Sequence, residues 1–375
     1  MRRHCCVKAG FLMAALMTLF PFTSAQVSDA QVDALLAPTF RPLEPGCAAL
    51  VMQNGKVAFR KGYGIAEMRT KQAVGPETNF RLASLSKQFT ATAIMLLVHD
   101  GKLRYDDRLT DVFPDFPAYG KAISIRQVLN HTSGLLDYED LMQKQYPGVP
   151  DEKIPQIRDA GVLALLEKQS TTKFAPGARW DYSNSGYVLL GLVVEKKSGM
   201  RFGDFLRERI FVPLGMSETV AYEKDRNEVR HRAYGHSQSG SGWRETDQSS
   251  TSATLGDGGI YTSLVDMEKW DRALSHHTLL TEAEMQPALT APSGPDGAPL
   301  HMPDGVLAPG YGFGWFLDAD HGHRRYWHYG ETVGFRTAIQ RFPDDHLSVI
   351  VLCNRSETDA PKLAESVSRL YLGIR

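Results

Sequence analysis

Phe80-Arg81-Leu82-Ala83-Ser84-Leu85-Ser86-Lys87-Gln88-Phe89-Thr90 is the stretch whose reading decides the fold. Ser84 and Lys87 stand three residues apart, immediately before an apolar run. If that run is a helix, the spacing places hydroxyl and amine on one face, a turn apart. Ser84 then falls in the first turn, where unpaired N–H groups and the helix dipole favour developing negative charge. A serine needs a neighbouring base before it can attack, and a desolvated lysine can serve. An N-cap serine followed by a surface lysine would read the same way, so the surrounding chain has to decide.

The chain has 375 residues, 42% hydrophobic and 23% charged, the composition of a globular protein with room for a large core. It opens Met1-Arg2-Arg3-His4, runs nearly all apolar from Phe11 to Phe22, and reaches Thr23-Ser24-Ala25-Gln26. A basic start, a short apolar core and a small-residue site predict a signal peptide over residues 1–25, cut after Ala25. The apolar run is shorter than the roughly 18 residues a membrane span needs. The expectation is an exported protein, periplasmic or secreted, without a stable membrane anchor. Removing that segment takes Arg2, Arg3 and Lys8, leaving 39 basic against 43 acidic residues and a net charge near −4. With no basic run or basic-aromatic stripe, nucleic acid is excluded as a partner. Cys5 and Cys6 leave with the signal; Cys47 and Cys353 remain, as a disulfide or as two buried thiols.

Working outward, a short helix is expected over Asp29 to Leu36. Asn54-Gly55 between two β-rich runs predicts a hairpin. The helix that follows Ser84 should stop at Asp100-Gly101. Helices are read at residues 125–130 behind Ser124, at 160–168 and at 187–197, and a surface loop at the Ser/Gly-rich 235–252. Ser263 and Asp266 form a capping-box pattern. Strands return at 311–318, 326–328, 336–342 and 347–352, and a terminal helix spans 361–371. Strands at both ends with helices between make an α+β fold. An α/β sheet domain of residues 26–100 and 255–375 would carry a mainly helical domain of residues 101–254.

No G-x-S-x-G, H-E-x-x-H or Walker A pattern occurs. His321-x-His323 reads as a turn rather than a metal site, and no metal or cofactor is implied. Two further stretches carry chemistry. Trp180-Asp181-Tyr182-Ser183-Asn184 sets Tyr182 and Asn184 on a loop before a helix, where a phenol with a pKa lowered by a nearby ammonium can relay a proton. Trp327-His328-Tyr329-Gly330-Glu331 lies near a strand end, where a bare glycine lets the backbone approach a ligand.

Ser84-x-x-Lys87, Tyr182-x-Asn184 and His328-x-Gly330, in this order, resemble the serine β-lactamase and penicillin-binding superfamily. The likeness is strongest to its class C-type branch, which includes D-stereospecific peptidases and family VIII carboxylesterases. Flanking stretches fit too, among them Asn130-His131-Thr132-Ser133-Gly134 and Gly256-Asp257-Gly258-Gly259. The resemblance implies an antiparallel sheet built from both termini and flanked by helices, with the site between sheet and helical domain. It implies Ser84 as nucleophile, with Lys87 and Tyr182 moving its proton. The oxyanion would sit between the backbone N–H groups of Ser84 and Glu331, each such donor worth about 2.7–4 kcal/mol. Asn184 would hold the substrate's ester or amide group, and Tyr329 would be packing. The first and last strands are neighbours in that fold, which makes a Cys47–Cys353 bridge possible.

One departure bears on the substrate. Where β-lactamases of this branch carry K-T-G, this chain has His328-Tyr329-Gly330. Histidine, with an ordinary pKa of about 6.5, lacks lysine's permanent charge. Arg336 is read as a solvated strand arginine rather than a replacement cation. The reading is an ester or amide hydrolase, a carboxylesterase or D-peptidase, acting on a small-molecule or peptide substrate. A class C-like β-lactamase and a non-hydrolytic penicillin-binding sensor are the alternatives. A catalytic group titrating near pH 6–7 is expected from His328.

Overall fold

The computed structural model describes residues 27–240, 242–294 and 296–374; the signal-peptide reading of residues 1–25 lies outside them. Helix α1 (Asp29–Leu36) leads into the hairpin of β1 (Cys47–Gln53) and β2 (Lys56–Tyr63). Asn54 and Gly55 both take positive φ, 52° and 72°, the twist a two-residue hairpin requires. After the two-residue β3 (Phe80–Arg81) comes α2 (Lys87–His99). It ends at Gly101 (φ 69°), where Gly101 N–H donates to Val98 and Lys102 N–H to Leu97.

The next stretch carries α3 (Ile125–Leu129), α4 (Tyr138–Gln145), α5 (Asp159–Glu167) and α6 (Asn184–Ser198). Helix α6 starts three residues before the expected Tyr187, because the Ser183 hydroxyl accepts from Gly186 N–H and caps it. Asn184 is therefore the first helical residue rather than part of a loop. Strand β4 (Val220–Ala221) follows, and then the expectation for 235–252 fails in part. Strands β5 (His236–Ser239) and β6 (Gly242–Glu245) pair there, and His236, Ser250 and Ser252 are buried. The serine hydroxyls have partners, Ser252 accepting from Arg81 and Ser250 donating to Asp151, and the His236 backbone N–H donates to Asn354 while its ring nitrogens have none. A polar stretch can be buried once its groups are hydrogen-bonded.

Strand β7 (Ile260–Thr262) pairs with β3 and β4, and α7 (Leu264–Ser275) follows. Ser263 caps α7 at Asp266 N–H, but the Asp266 carboxylate turns to Glu218, Thr219 and Lys269, so the capping box is half made. The chain closes with β8 (Phe316–Asp320), β9 (His323–Thr332), β10 (Phe335–Phe342), β11 (Leu347–Cys353) and α8 (Ala360–Leu372). Residues 311–314, expected to open the first of these strands, form a turn. Gly314 (φ 77°) brings it onto the start of α2, and a Cβ there would lie 3.0 Å from the Lys87 carbonyl.

The main sheet runs β2-β1-β11-β10-β9-β8, so the two chain ends meet at its centre. Alternation along β1 divides the packing. Cys47, Ala49 and Val51 meet α1 and α8 through Val32, Leu36, Ala364 and Val367, whereas Ala48, Leu50 and Met52 join the larger core with Phe89 of α2 and Trp270 of α7. Cys47 and Cys353 face each other across β1 and β11 and are joined as a disulfide, which decides between the two options for this pair. Pairing of β8 with β9 ends at Phe316–Trp327, so the stretch from His328 to Thr332 is paired only with β10.

Candidate active site

Ser84 lies on a 3₁₀ turn, Ala83–Ser86, just before α2 rather than in the helix itself. The turn is held by three hydrogen bonds from two strands. Leu82 N–H donates to Ile260 of β7, the Thr337 hydroxyl of β10 donates to the Leu82 carbonyl, and Ile260 N–H donates to the Ser86 hydroxyl. Ala83 has φ 49°, left-handed for a residue with a side chain, a strain of about 1–2 kcal/mol that these contacts must hold. Gly330 of β9 packs directly on it: a Cβ there would fall 2.2 Å from the Leu82 carbonyl and 3.1 Å from the Ala83 methyl. Only glycine lets the free stretch of β9, and with it Glu331, come up against the Ser84 turn.

Lys87 is fully buried, and its Nζ has three partners: Ser84 Oγ at 3.0 Å, Asn184 Oδ1 at 2.8 Å and the Asp257 carbonyl at 3.0 Å. An ammonium donates to all three. A neutral amine has two N–H groups, which Asn184 and Asp257 occupy, and its lone pair is left facing the Ser84 hydroxyl, the arrangement of a general base. Burial pulls the Lys87 pKa down to about 8, opposed by the charges of Asp257, Glu139 and Asp137. The neutral form is therefore accessible near neutral pH.

The loop that supplies the Asp257 carbonyl is pinned throughout. Buried Arg81 donates to Gly258 and Ser252, the Thr90 hydroxyl to the Gly256 carbonyl, and Leu255 N–H to Asp159. The Asp257 carboxylate accepts from Tyr138 of α4. Asn184 is engaged at both ends, its Nδ2 donating to Glu139 at 3.2 Å and its backbone N–H to Asp137 at 3.1 Å. Burial raises the Glu139 carboxyl to about 7 and also raises Asp137. Sequence reasoning gave no role to Glu139, Asp137 or Tyr138. It quoted Asp257 only within a flanking glycine motif, which was the available signal.

Tyr182 lies above Lys87, whose Nζ is 4.9 Å from the ring centroid. The phenol was expected to be acidified by the ammonium, and the opposite holds. Burial pushes it well above its ordinary range, with the Ser84 hydroxyl near enough to oppose the shift but outside hydrogen-bond geometry. The cation faces the ring rather than the hydroxyl, so desolvation wins.

His328 also departs from expectation. It is buried, its Nδ1 lies 2.6 Å from the Tyr329 carbonyl, and its Nε2 lies 3.1 Å from the Tyr311 hydroxyl. The carbonyl fixes the proton on Nδ1, so Tyr311 donates to Nε2. Burial, reinforced by Lys87, lowers its pKa to about 3. A group titrating at pH 6–7 is thus not supplied here, because the sequence could not show that this face of β9 is buried. His131 (φ 61°) stacks 4.3 Å from Tyr182 and 4.5 Å from Tyr311, and burial lowers it in the same way. Arg336 donates to the carbonyls of Thr332 and Phe335, with exposed Glu331 at 4.0 Å, so its charge is spent on the β9–β10 turn. His321 and His323 pair with Asp320 and Asp345 instead of with each other.

Comparison with known proteins agrees with this geometry. The family model described as Beta-lactamase matches residues 36–371. A penicillin-binding protein of Bacillus subtilis (strain 168) is 34% identical over 320 residues, 82% of this chain and 68% of that protein. A D-aminopeptidase of Brucella anthropi is 29% identical over 336 residues, 88% of this chain and 60% of that protein. Among solved structures, a penicillin-binding protein from Bacillus halodurans has a TM-score of 0.76 at 27% identity, covering 90% of this chain and 98% of its own. The match over residues 36–371 and these relatives, in a fold that gathers Ser84, Lys87 and Tyr182 in one cleft, place the chain in the Beta-lactamase family as a serine hydrolase.

Proposed function

We propose that this protein is an exported hydrolase of esters or amides that works through an acyl-enzyme on Ser84. The observation that carries the reading is the three-way coordination of the Lys87 amine. Neutral Lys87 takes the Ser84 proton as Oγ bonds the carbonyl carbon. The oxyanion gathers at the backbone N–H groups of Ser84 and Glu331, a pairing that the close approach of Gly330 to the Ser84 turn supports. The proton then passes from Lys87 through the Tyr182 hydroxyl to the leaving group as its bond to carbon breaks. A phenol with a raised pKa stays protonated at neutral pH, so it can hand on its proton only as it takes the one from Lys87. Water repeats the sequence on the ester.

Electrostatics favour a D-peptidase or esterase over a β-lactamase. Asp257, Glu139 and Asp137 all act on the buried Lys87 amine, and His328 is neutral. An anionic substrate meets carboxylates of its own sign, while an amine or neutral ester does not. The D-aminopeptidase relative supports the same direction. Export is supported by the signal-like residues 1–25 and by the Cys47–Cys353 bridge. Among the described residues no helix is long and apolar enough to cross a membrane.

The test is a turnover panel of short-chain p-nitrophenyl esters, D-amino acid amides, D-Ala-D-Ala peptides and nitrocefin on purified protein. Steady turnover of esters or D-amides, with nitrocefin poor, is expected. A single stoichiometric burst without a steady rate would overturn the hydrolytic reading. It would favour a penicillin-binding sensor, the second reading that the penicillin-binding relative supports.

A further inference from the structure

Tyr329 was expected to be packing, and its surroundings say otherwise. Arg325, Trp327, Tyr329 and Glu331 share one face of β9, opposite buried His328 and Gly330. On that face the aromatic rings form a stack. Phe316 lies 4.8 Å from Trp327 at 28° and 6.1 Å from Tyr329 at 12°, and Trp327 lies 6.0 Å from Tyr329 at 20°.

The inner end of the stack is braced. The Trp327 indole N–H donates to Asp318 at 3.0 Å, and the Arg325 guanidinium sits 5.0 Å from the indole centroid while bonding the same carboxylate. The outer end is open, with Tyr329 36% exposed among the few large apolar side chains at the surface. That open ring stands on the stretch of β9 that β8 leaves unpaired, two residues before Glu331. Its phenol is close enough to the Tyr182 hydroxyl to raise that group's pKa. A flat apolar surface, rigidly backed and open only at the rim of the catalytic cleft, is built to receive a ring.

We propose that Tyr329, backed by Phe316 and Trp327, is a stacking subsite that selects substrates carrying an aromatic or similarly flat apolar group beside the scissile carbonyl. The inference rests on the hydrolase reading above. Aromatic pairs gain stabilisation beyond the area they bury, and such pockets discriminate by about tenfold or more.

The test compares D-phenylalaninamide with D-alaninamide, which varies the acyl side, and D-alanine anilide with D-alaninamide, which varies the leaving side. Active sites are titrated by a fluorophosphonate so that rates refer to competent Ser84. Tyr329→Ala is expected to cut the aromatic-over-small ratio of kcat/KM about tenfold in one series, mainly through KM. Tyr329→Phe is expected to keep the ratio. Trp327→Leu, which loosens the backing without touching the open ring, is expected to lower it by a smaller factor. An unchanged ratio in both series for Tyr329→Ala overturns the subsite, as does an equal loss in Tyr329→Phe, which would assign the effect to the hydroxyl. If the fluorophosphonate fails to label Ser84, or the wild type turns over neither these amides nor the p-nitrophenyl esters of aromatic and small acids, the hydrolase reading fails instead.

Discussion

The two sides of the cleft are built on opposite principles. The floor, formed by the Ser84 turn, Lys87, Asn184 and the Asp257 loop, is polar and closely hydrogen-bonded. The Lys87 amine meets Ser84, Asn184 and the Asp257 carbonyl, and Asn184 in turn donates to Glu139, though one Asp257 carboxylate oxygen is buried without a partner. The wall along β9, backed by Tyr311, His131 and Trp180, is aromatic and sparing with hydrogen bonds. His131 Nε2, Trp180 Nε1 and the Tyr182 hydroxyl are buried there with no partner. A buried polar group without a partner costs about 1–3 kcal/mol, so several in one wall mark a place where stability yields to function. The floor fixes a base in one geometry, and the wall leaves contacts for a substrate to complete.

This contrast is broken most directly at the floor. Ser84→Ala is expected to abolish covalent labelling by a fluorophosphonate and to lower kcat/KM by roughly 10⁴-fold or more. Label recovered on another serine would remove the floor from the chemistry altogether.

A smaller effect is expected at Glu139, which touches Lys87 only through charge and through Asn184. Its carboxylate helps hold the Lys87 pKa up, so Glu139→Gln lets burial act with less opposition. The rising limb of kcat/KM, set by neutral Lys87 at about 8, should move to lower pH by about half to one unit. An uncharged ester is the proper substrate, since an amine would also report any direct contact with Glu139. A limb that moves to higher pH would show that Lys87 is not the titrating base.

The same division separates what the sequence disclosed from what it concealed. Ser84 and Lys87 were legible because a spacing of three brings two side chains together on a 3₁₀ turn as well as on an α-helix. The terminal strands were legible from alternation, and the hairpin at Asn54-Gly55 from its turn residues. Glu139 was not, because it reaches the site only through the docking of α4 on α6, and no local pattern encodes that. Nor was the third partner of Lys87: a backbone carbonyl has no residue-type signature, and the glycines around Asp257 mark only a tight loop. Tyr182 and His328 were identified as residues but misjudged as acids. Their titration depends on burial, and a three-residue motif does not reveal which face of a strand is covered.

His328 gives the mildest test, and it separates wall from floor by sign. In an unfolded chain its imidazole takes a proton near pH 6.5, whereas in the folded protein burial delays this to about 3. Between these values the unfolded state binds more protons than the native state, so stability is lost as pH falls through that window. The loss is about 1.4 kcal/mol for each pH unit below 6.5. His131 is lowered by burial as well and adds to the same slope. In His328→Asn, denaturant titrations at pH 6 and pH 4.5 should therefore show a shallower acid loss than in the parent, by about 2 kcal/mol across that interval. The kcat/KM profile between pH 6 and 7 should keep its shape, because the imidazole is neutral throughout. If the acid slope were unchanged while a limb near pH 6.5 disappeared, His328 would be an exposed titrating group of the catalytic floor, and the division between floor and wall would fall.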